Sequence, residues 1–432
     1  MEISEQETQE SIEKKIESDD DELIDLGMYE EFDLSETEIE VRVRYKKKID
    51  NRLIVTVFIM IMFNNVFQWV ASLQFNDSRN IAIPVMVLAN LAMATMYTGI
   101  YSYLIYWYSR DVISTRVVII SLFSEMSGTI TDYAFNKAVV GPTKGYGGRT
   151  SICIVIAVIG VLLALAVYFV LSETPKTCKF LLDDEKSLAV RIIGASNGED
   201  FSHRMVYSQL FSAFTDPKVY IFGIIGFCIK SSRLNTQAIA TGYTLHYSNP
   251  LDYAASPGLI LPSAVGIIAL TLTLSYIENV SLSNILIGAS LINGLCSGFL
   301  LIFVSHSQSL ILLAFSSFAE RGSFPVAVAW MLVNGGGSSK RIASIGIFFF
   351  ISEMSSVVFP YITNSEDTYF SKKNNIYALA LSLLSVILVF GINLHFKKLN
   401  IKRSQNITPM GHLDHSKQVD LNDKHPNFIY AN

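Results

Sequence analysis

Charge is what this chain has least of. Asp, Glu, Lys and Arg make up 16% of its 432 residues, where a soluble domain carries about 25%. Half of the residues are hydrophobic and the mean hydropathy is +0.38, so an ordinary soluble fold is excluded. Cysteine is scarce too. Cys153, Cys178, Cys228 and Cys296 are widely spaced and form no CxxC pair, which argues against a zinc site and a disulfide framework. There is no phosphate loop ending in GKS or GKT, no HExxH and no GxSxG. Nothing therefore points to an enzyme, a metal or a cofactor. The N-terminus lacks a basic flank followed by an apolar core, so a cleaved secretory signal is not expected.

What charge there is, is segregated. The first 40 residues are strongly acidic, and RVRYKKK at Arg42 to Lys48 is basic. Before an apolar run, such a basic cluster reads as a membrane-edge patch, and nucleic acid is not an expected partner. Residues 1–45 read as a disordered acidic tail, with a short helix around 35–50 leading to the membrane.

Long apolar runs fill most of the remainder. Four fall at 53–73, 81–106, 117–135 and 151–171. Six more fall near 217–245, 257–277, 283–303, 309–333, 341–361 and 376–395. Their length and continuity suit helices that cross a bilayer, whereas barrel strands would alternate over about ten residues. The fold class is an all-α polytopic membrane protein with about ten transmembrane helices, arranged four plus six. The boundaries read as a first bundle at 46–171, a central loop at 172–214, a second bundle at 215–396 and a disordered tail at 397–432. Within the loop, Phe180, Leu181, Leu188, Ala189 and Ile192 supply the buried face of an amphipathic helix, and Asp183, Asp184, Glu185 and Lys186 its solvated side. Lys and Arg gather on the loops that share a side with both termini, which predicts cytoplasmic termini.

Polar residues at membrane depth are the candidate site. Lys230 and Arg233 interrupt IIGFCIKSSRLNTQ three residues apart, on one helical face. They read either as cations that bind an anion in a central cavity or as a structural ion pair near a span end. Asn235 and Gln237, with Tyr243 and His246, either line a pore or satisfy one another. Glu125 and Glu353 sit in SLFSEMSG and FISEMSSV, in opposite halves. Each, like Asp132, reads as a proton acceptor, a counter-ion to Lys230, or a packing residue. In AWMLVNGGGSSKRIASIGIFF, Gly335, Gly336 and Gly337 with Lys340 and Arg341 read as a tight cytoplasmic turn between two membrane helices.

Four stretches carry a likeness. KKKIDNRLI (Lys46 to Ile54), GIYSYLIYWYSRD (Gly99 to Asp111), LSETPKTCKFLLDDEKSLAV (Leu171 to Val190) and AWMLVNGGGSSKR (Ala329 to Arg341) resemble fungal transporters of the major facilitator superfamily, in the allantoate permease or anion:cation symporter branch. The resemblance implies two six-helix halves around a central site of alternating access. It also implies substrates such as allantoate, nicotinate, pantothenate, biotin or sulfur-containing anions, often imported with protons, and a plasma-membrane monomer. The chain departs from the family where the second helix and most of the third are expected, which leaves four spans in the first half. That shortage keeps an alternative open: a non-transporting relative that acts as a sensor or regulator.

Overall fold

The computed structural model describes residues 35–74, 95–121, 123–124, 127, 146–172, 174–197, 206–247, 281–302, 306–362, 372–405 and 421–431. Helix α1 spans Glu36–Gln74; the short helix expected near 35–50 and the first apolar run are one rod. It starts with a capping box. Ser35 Oγ accepts from the Glu38 N–H at 3.4 Å, and the Glu38 carboxylate accepts from the Ser35 N–H at 3.0 Å. Tyr45, Ile49, Leu53, Val57 and Ile61 are buried at every fourth position, so a single ridge of α1 faces protein.

Segments 95–107 (α2) and 110–121 (α3) complete the described core of the first half with α4, Tyr146–Val170. Helix α5, Asp183–Asn197, lies in the connection, followed by α6, Tyr207–Thr215, and α7, Pro217–Tyr247. The second half continues with α8 (Leu282–Ile302), α9 (His306–Val333), α10 (Ser338–Ile362) and α11 (Lys372–Gln405). A 3-10 turn at Asn422–Lys424 lies in a C-terminal segment, 421–431. The described residues contain no strand.

Four of these stretches are long and apolar enough to cross a membrane: Leu282–Ile302, Ile311–Val333, Ser338–Phe359 and Lys372–Gln405. Tyr207–Thr215 and Pro217–Ile239 qualify together as a fifth, bent by 62°. Asp216 makes the corner. It ends α6 and caps α7, accepting the Lys218 N–H at 3.1 Å ahead of a proline at the first helical position. The chain is a multi-pass membrane protein. Of the other expected spans, 53–73 and 151–171 are carried by α1 and α4; those at 81–106 and 117–135 lie partly, and that at 257–277 entirely, outside the described residues.

Helix α11 shows how such helices pack. Leu383, Ile387, Phe390 and Leu394 are exposed, while Ser382, Ser385 and Asn393 are buried. Apolar side chains face outward and small polar ones inward, the reverse of a soluble helix and the arrangement lipid demands. Across the buried seam, Asn293 of α8 donates to Ser382 at 3.0 Å and Ser290 meets Ser385 at 3.1 Å. Each such bond contributes about 0.6 kcal/mol in a membrane.

Two expectations need correction. Leu181, just ahead of α5, and Leu188, Ala189 and Ile192 within it are buried as read, but Glu185 is buried as well. It accepts Lys48 of α1 at 2.7 Å and the Leu182 N–H at 3.0 Å, because α5 lies against α1 and a buried carboxylate must be paired. The C-terminal residues also depart from the disorder their polarity suggests. α11 continues to Gln405, and Asp423, His425, Phe428 and Tyr430 are buried against the helices.

The turn between α9 and α10 is closed by its own residues. Gly337 adopts φ 73°, a backbone region that costs an L side chain roughly 1–2 kcal/mol. Arg341 Nε donates to the Gly335 carbonyl at 2.7 Å. Gly337→Ala is accordingly expected to lower unfolding free energy by about 1–2 kcal/mol, read as a lower melting midpoint in detergent.

Candidate functional site

The site begins with a close helix contact. A Cβ on Gly223 of α7 would come within 2.7 Å of Ile351 Cδ1 of α10. One on Gly226 would come within 2.8 Å of Phe348 Cζ and press still harder on Ser352 Oγ. Absent side chains thus let the two backbones approach. One turn beyond Gly226, Lys230 reaches across and forms an ion pair with Glu353 of α10. The Lys230 side chain keeps 24% of its exposure and that of Glu353 keeps 41%, so protein encloses the pair only in part. Arg233, one turn further, is half-buried.

The polar residues picked from the sequence then part company. Asn235 is buried and turns to α11, where its Nδ2 donates to Asn375 Oδ1 at 3.2 Å. Gln237 is exposed. The side chains of Tyr243 and His246, and all of Glu125 and Asp132, lie outside the described residues.

Sequence reading passed over Glu320. It lies in α9 and is almost wholly buried. Thr236 of α7 donates to its Oε1 at 2.9 Å, and Ser316 lies 3.2 Å from the same oxygen. Ser316 is also 2.7 Å from Asn293 Oδ1 of α8, and Asn293 reaches Ser382 of α11. A polar chain therefore crosses four helices beside a small cavity lined by Ser232, Ser290, Asn293, Glu320 and Ser385. The signal was available: FAERGSF places a carboxylate and a guanidinium inside an apolar run of membrane length.

Lys340 and Arg341 are nearly inaccessible, at 3% and 2% exposure. They organise the face of the bundle that carries both ends of the described chain. Arg341 Nη1 donates to Asn197 Oδ1 at 2.9 Å, and Asn197 donates to the Ile105 carbonyl of α2 at 3.0 Å. Arg110 of α3 donates to the Val333 carbonyl of α9 at 2.8 Å. The two halves are thus tied together on this face. At its centre, Lys340 reaches Asp216 at 2.7 Å and Asp423 at 2.5 Å. Burial tends to raise the Asp423 carboxyl, but Lys218 and Lys340 outweigh it and hold the value down to about 2.

The arrangement belongs to a known architecture. The chain is similar to the fucose:proton symporter FucP of E. coli, with 14% identity, 85% of this chain and 89% of that chain covered, and a TM-score of 0.50. A structure of FucP described as a major facilitator superfamily transporter in the outward conformation covers 78% of this chain and 81% of its own, at 11% identity and a TM-score of 0.53. The proton:xylose symporter XylE gives 12% identity, 80% and 87% coverage, and a TM-score of 0.50. No family model and no curated protein sequence matches the chain. The chain has an all-α, major-facilitator-type fold.

Two outcomes follow from this geometry. Lys230→Met and Glu353→Gln should each destabilise the protein, and the double variant should fall short of their sum by about 0.5–1 kcal/mol, the range for a partly exposed pair. Additive losses in a thermal-melting cycle would remove the ion pair. The second concerns pH. Burial, then the Arg403 charge, pushes the His425 imidazole below its usual 6.5. Docking of the C-terminal segment is therefore strongest above pH 6.5 and weakens as pH falls below it, where the undocked imidazole gains its proton first. Asp423, charged down to about 2, stays out of that window. Hydrogen exchange of residues 421–431 at pH 8 and pH 5.5 reads the difference.

Proposed function

We propose that this chain is a secondary transporter of a small organic anion, coupled to protons and working by alternating access between its two halves. The observation that carries the reading is the Lys230–Glu353 pair: a cation at membrane depth, held by a carboxylate that remains partly accessible. A substrate carboxylate or sulfonate that reaches Lys230 competes with Glu353 for the same ammonium. Glu353, displaced into a poorly solvated setting, is best accommodated by accepting a proton. Lysine with glutamate becomes lysine with substrate plus neutral glutamic acid. The charge of the site is unchanged as one anion and one proton enter together.

Arg233 supplies a second cation one helical turn away, with Asn235 and Gln237 as nearby polar groups and Glu125 as a further proton acceptor. The fold supports this reading, since proteins of similar architecture are proton symporters of fucose and xylose. The substrate class follows the sequence resemblance to the allantoate permease branch: a carboxylate, a vitamin or a sulfur-containing anion. We place both termini in the cytoplasm, from the distribution of Lys and Arg, and the protein in the plasma membrane as a monomer.

Uptake of a panel of labelled organic anions in a transporter-deficient fungal host is the direct test. At least one anion should accumulate, more at acidic than at neutral external pH. Lys230→Gln combined with Arg233→Gln should cut that uptake at least about tenfold, the loss expected for one or two charge-assisted contacts. Uptake that survives the double substitution would remove the anion-binding role.

A further inference from the structure

The face that carries both ends of the described chain is covered by residues 421–431, and what holds them is specific. Asp423 enters between Lys218 at the start of α7 and Lys340 at the start of α10, pairing with both. Without it the two lysines would share Asp216, which lies 3.5 Å from Lys218 and 2.7 Å from Lys340. The docked segment supplies the second carboxylate that balances two largely buried cations.

Aromatic and backbone contacts complete the seat. The Tyr430 ring stacks on Phe396 of α11 at 4.5 Å and 5°, and its hydroxyl lies 2.9 Å from Lys218 Nζ and 3.0 Å from Asp423 Oδ2. Asn400 holds the backbone of Tyr430 in both directions, accepting its N–H and donating to its carbonyl, each at 2.9 Å. Asn334 does the same for Ala431, at 2.7 and 3.1 Å, and Trp330 Nε1 donates to that carbonyl at 2.8 Å. Two asparagines therefore read extended backbone, two lysines read a carboxylate and Phe396 reads an aromatic ring.

The first half enters through Arg110. Its Nη2 donates to the Ile429 carbonyl at 2.9 Å, and its guanidinium lies 4.1 Å over the Phe428 ring. The same side chain donates to Val333 of α9. One arginine thus joins the first half to both the second half and the segment bound to it.

We propose that this groove is a docking site for the chain's own C-terminal segment, and that the docked segment is a latch that keeps the two halves closed at this face. Its effect on transport rests on the carrier reading above. A carrier that opens at this face must part Arg110 from Val333. The docked segment adds two more contacts to Arg110, so opening must break these as well.

The experiment uses purified chain reconstituted in liposomes, complete or ending after Gln405, each with Val333→Cys at the junction of the halves. The shorter chain keeps α11 whole. A labelled peptide of residues 419–432 should bind the shorter chain, and Asp423→Asn in the peptide should weaken binding at least about tenfold, as loss of a buried charge partner requires. A water-soluble maleimide should label the introduced thiol several-fold faster in the shorter chain than in the complete one, and added peptide should slow it again. Absence of peptide binding, or labelling unaffected by the segment, overturns the latch. Segment-dependent labelling with no anion uptake by either form supports the latch and removes the carrier reading. Uptake that is equal in both forms, with equal labelling, removes the latch and keeps the carrier.

Discussion

Two glycines on α7 set the distances on which the middle of the second half depends. With side chains at Gly223 and Gly226, α10 could not approach closely enough for Lys230 to find Glu353. The same approach fixes the rotation of α10. Phe348 turns toward Gly226, and the neighbouring Phe349 turns toward the first half, where it stacks on Tyr101 of α2 at 5.7 Å and 17°. A contact internal to one half therefore also shapes how the other half seats against it. Small residues serve membrane helices in this way because lipid gives no hydrophobic reward for helix association, and close packing must supply it.

Polar groups divide into three populations with different work. The chain from Thr236 through Glu320, Ser316 and Asn293 to Ser382 is enclosed and internally satisfied, and it ties α7, α8, α9 and α11 into a frame. The Lys230–Glu353 pair lies outside that frame and remains partly exposed. A third population lies at the terminal face, where Lys218, Lys340, Asp216 and Asp423 neutralise one another. There the charges act on closure, since Asp423 arrives on a segment that also touches Arg110 through Phe428 and Ile429.

Much of this is legible in the sequence. Apolar runs longer than a buried strand marked the five described apolar helices of the second half, though the last, α11, runs on to Gln405, ten residues past the expected end, because the cost of an unpaired backbone in lipid leaves little choice of secondary structure. The three glycines after Asn334 announced a turn, and φ at Gly337 shows why one of them is needed. Lys230 was singled out as a charge that a membrane does not tolerate alone, with Glu353 one of three carboxylates offered as its counter-ion. Glu185, Glu320 and the C-terminal segment were misjudged or missed. Local polarity says that such residues prefer water; it does not say which partner can replace water.

Sequence by itself determined the class of molecule, the described membrane-crossing helices of the second half and the short set of charges that must have partners. Those properties follow from composition and period along the chain. Tertiary structure alone decided the pairings: Lys230 with Glu353 across 123 positions of sequence, Lys340 with Asp423 across 83, and Arg110 with Val333 across 223. Electrostatic and hydrogen-bond partners are chosen by distance in space, and only helix packing brings such remote positions within a few ångströms.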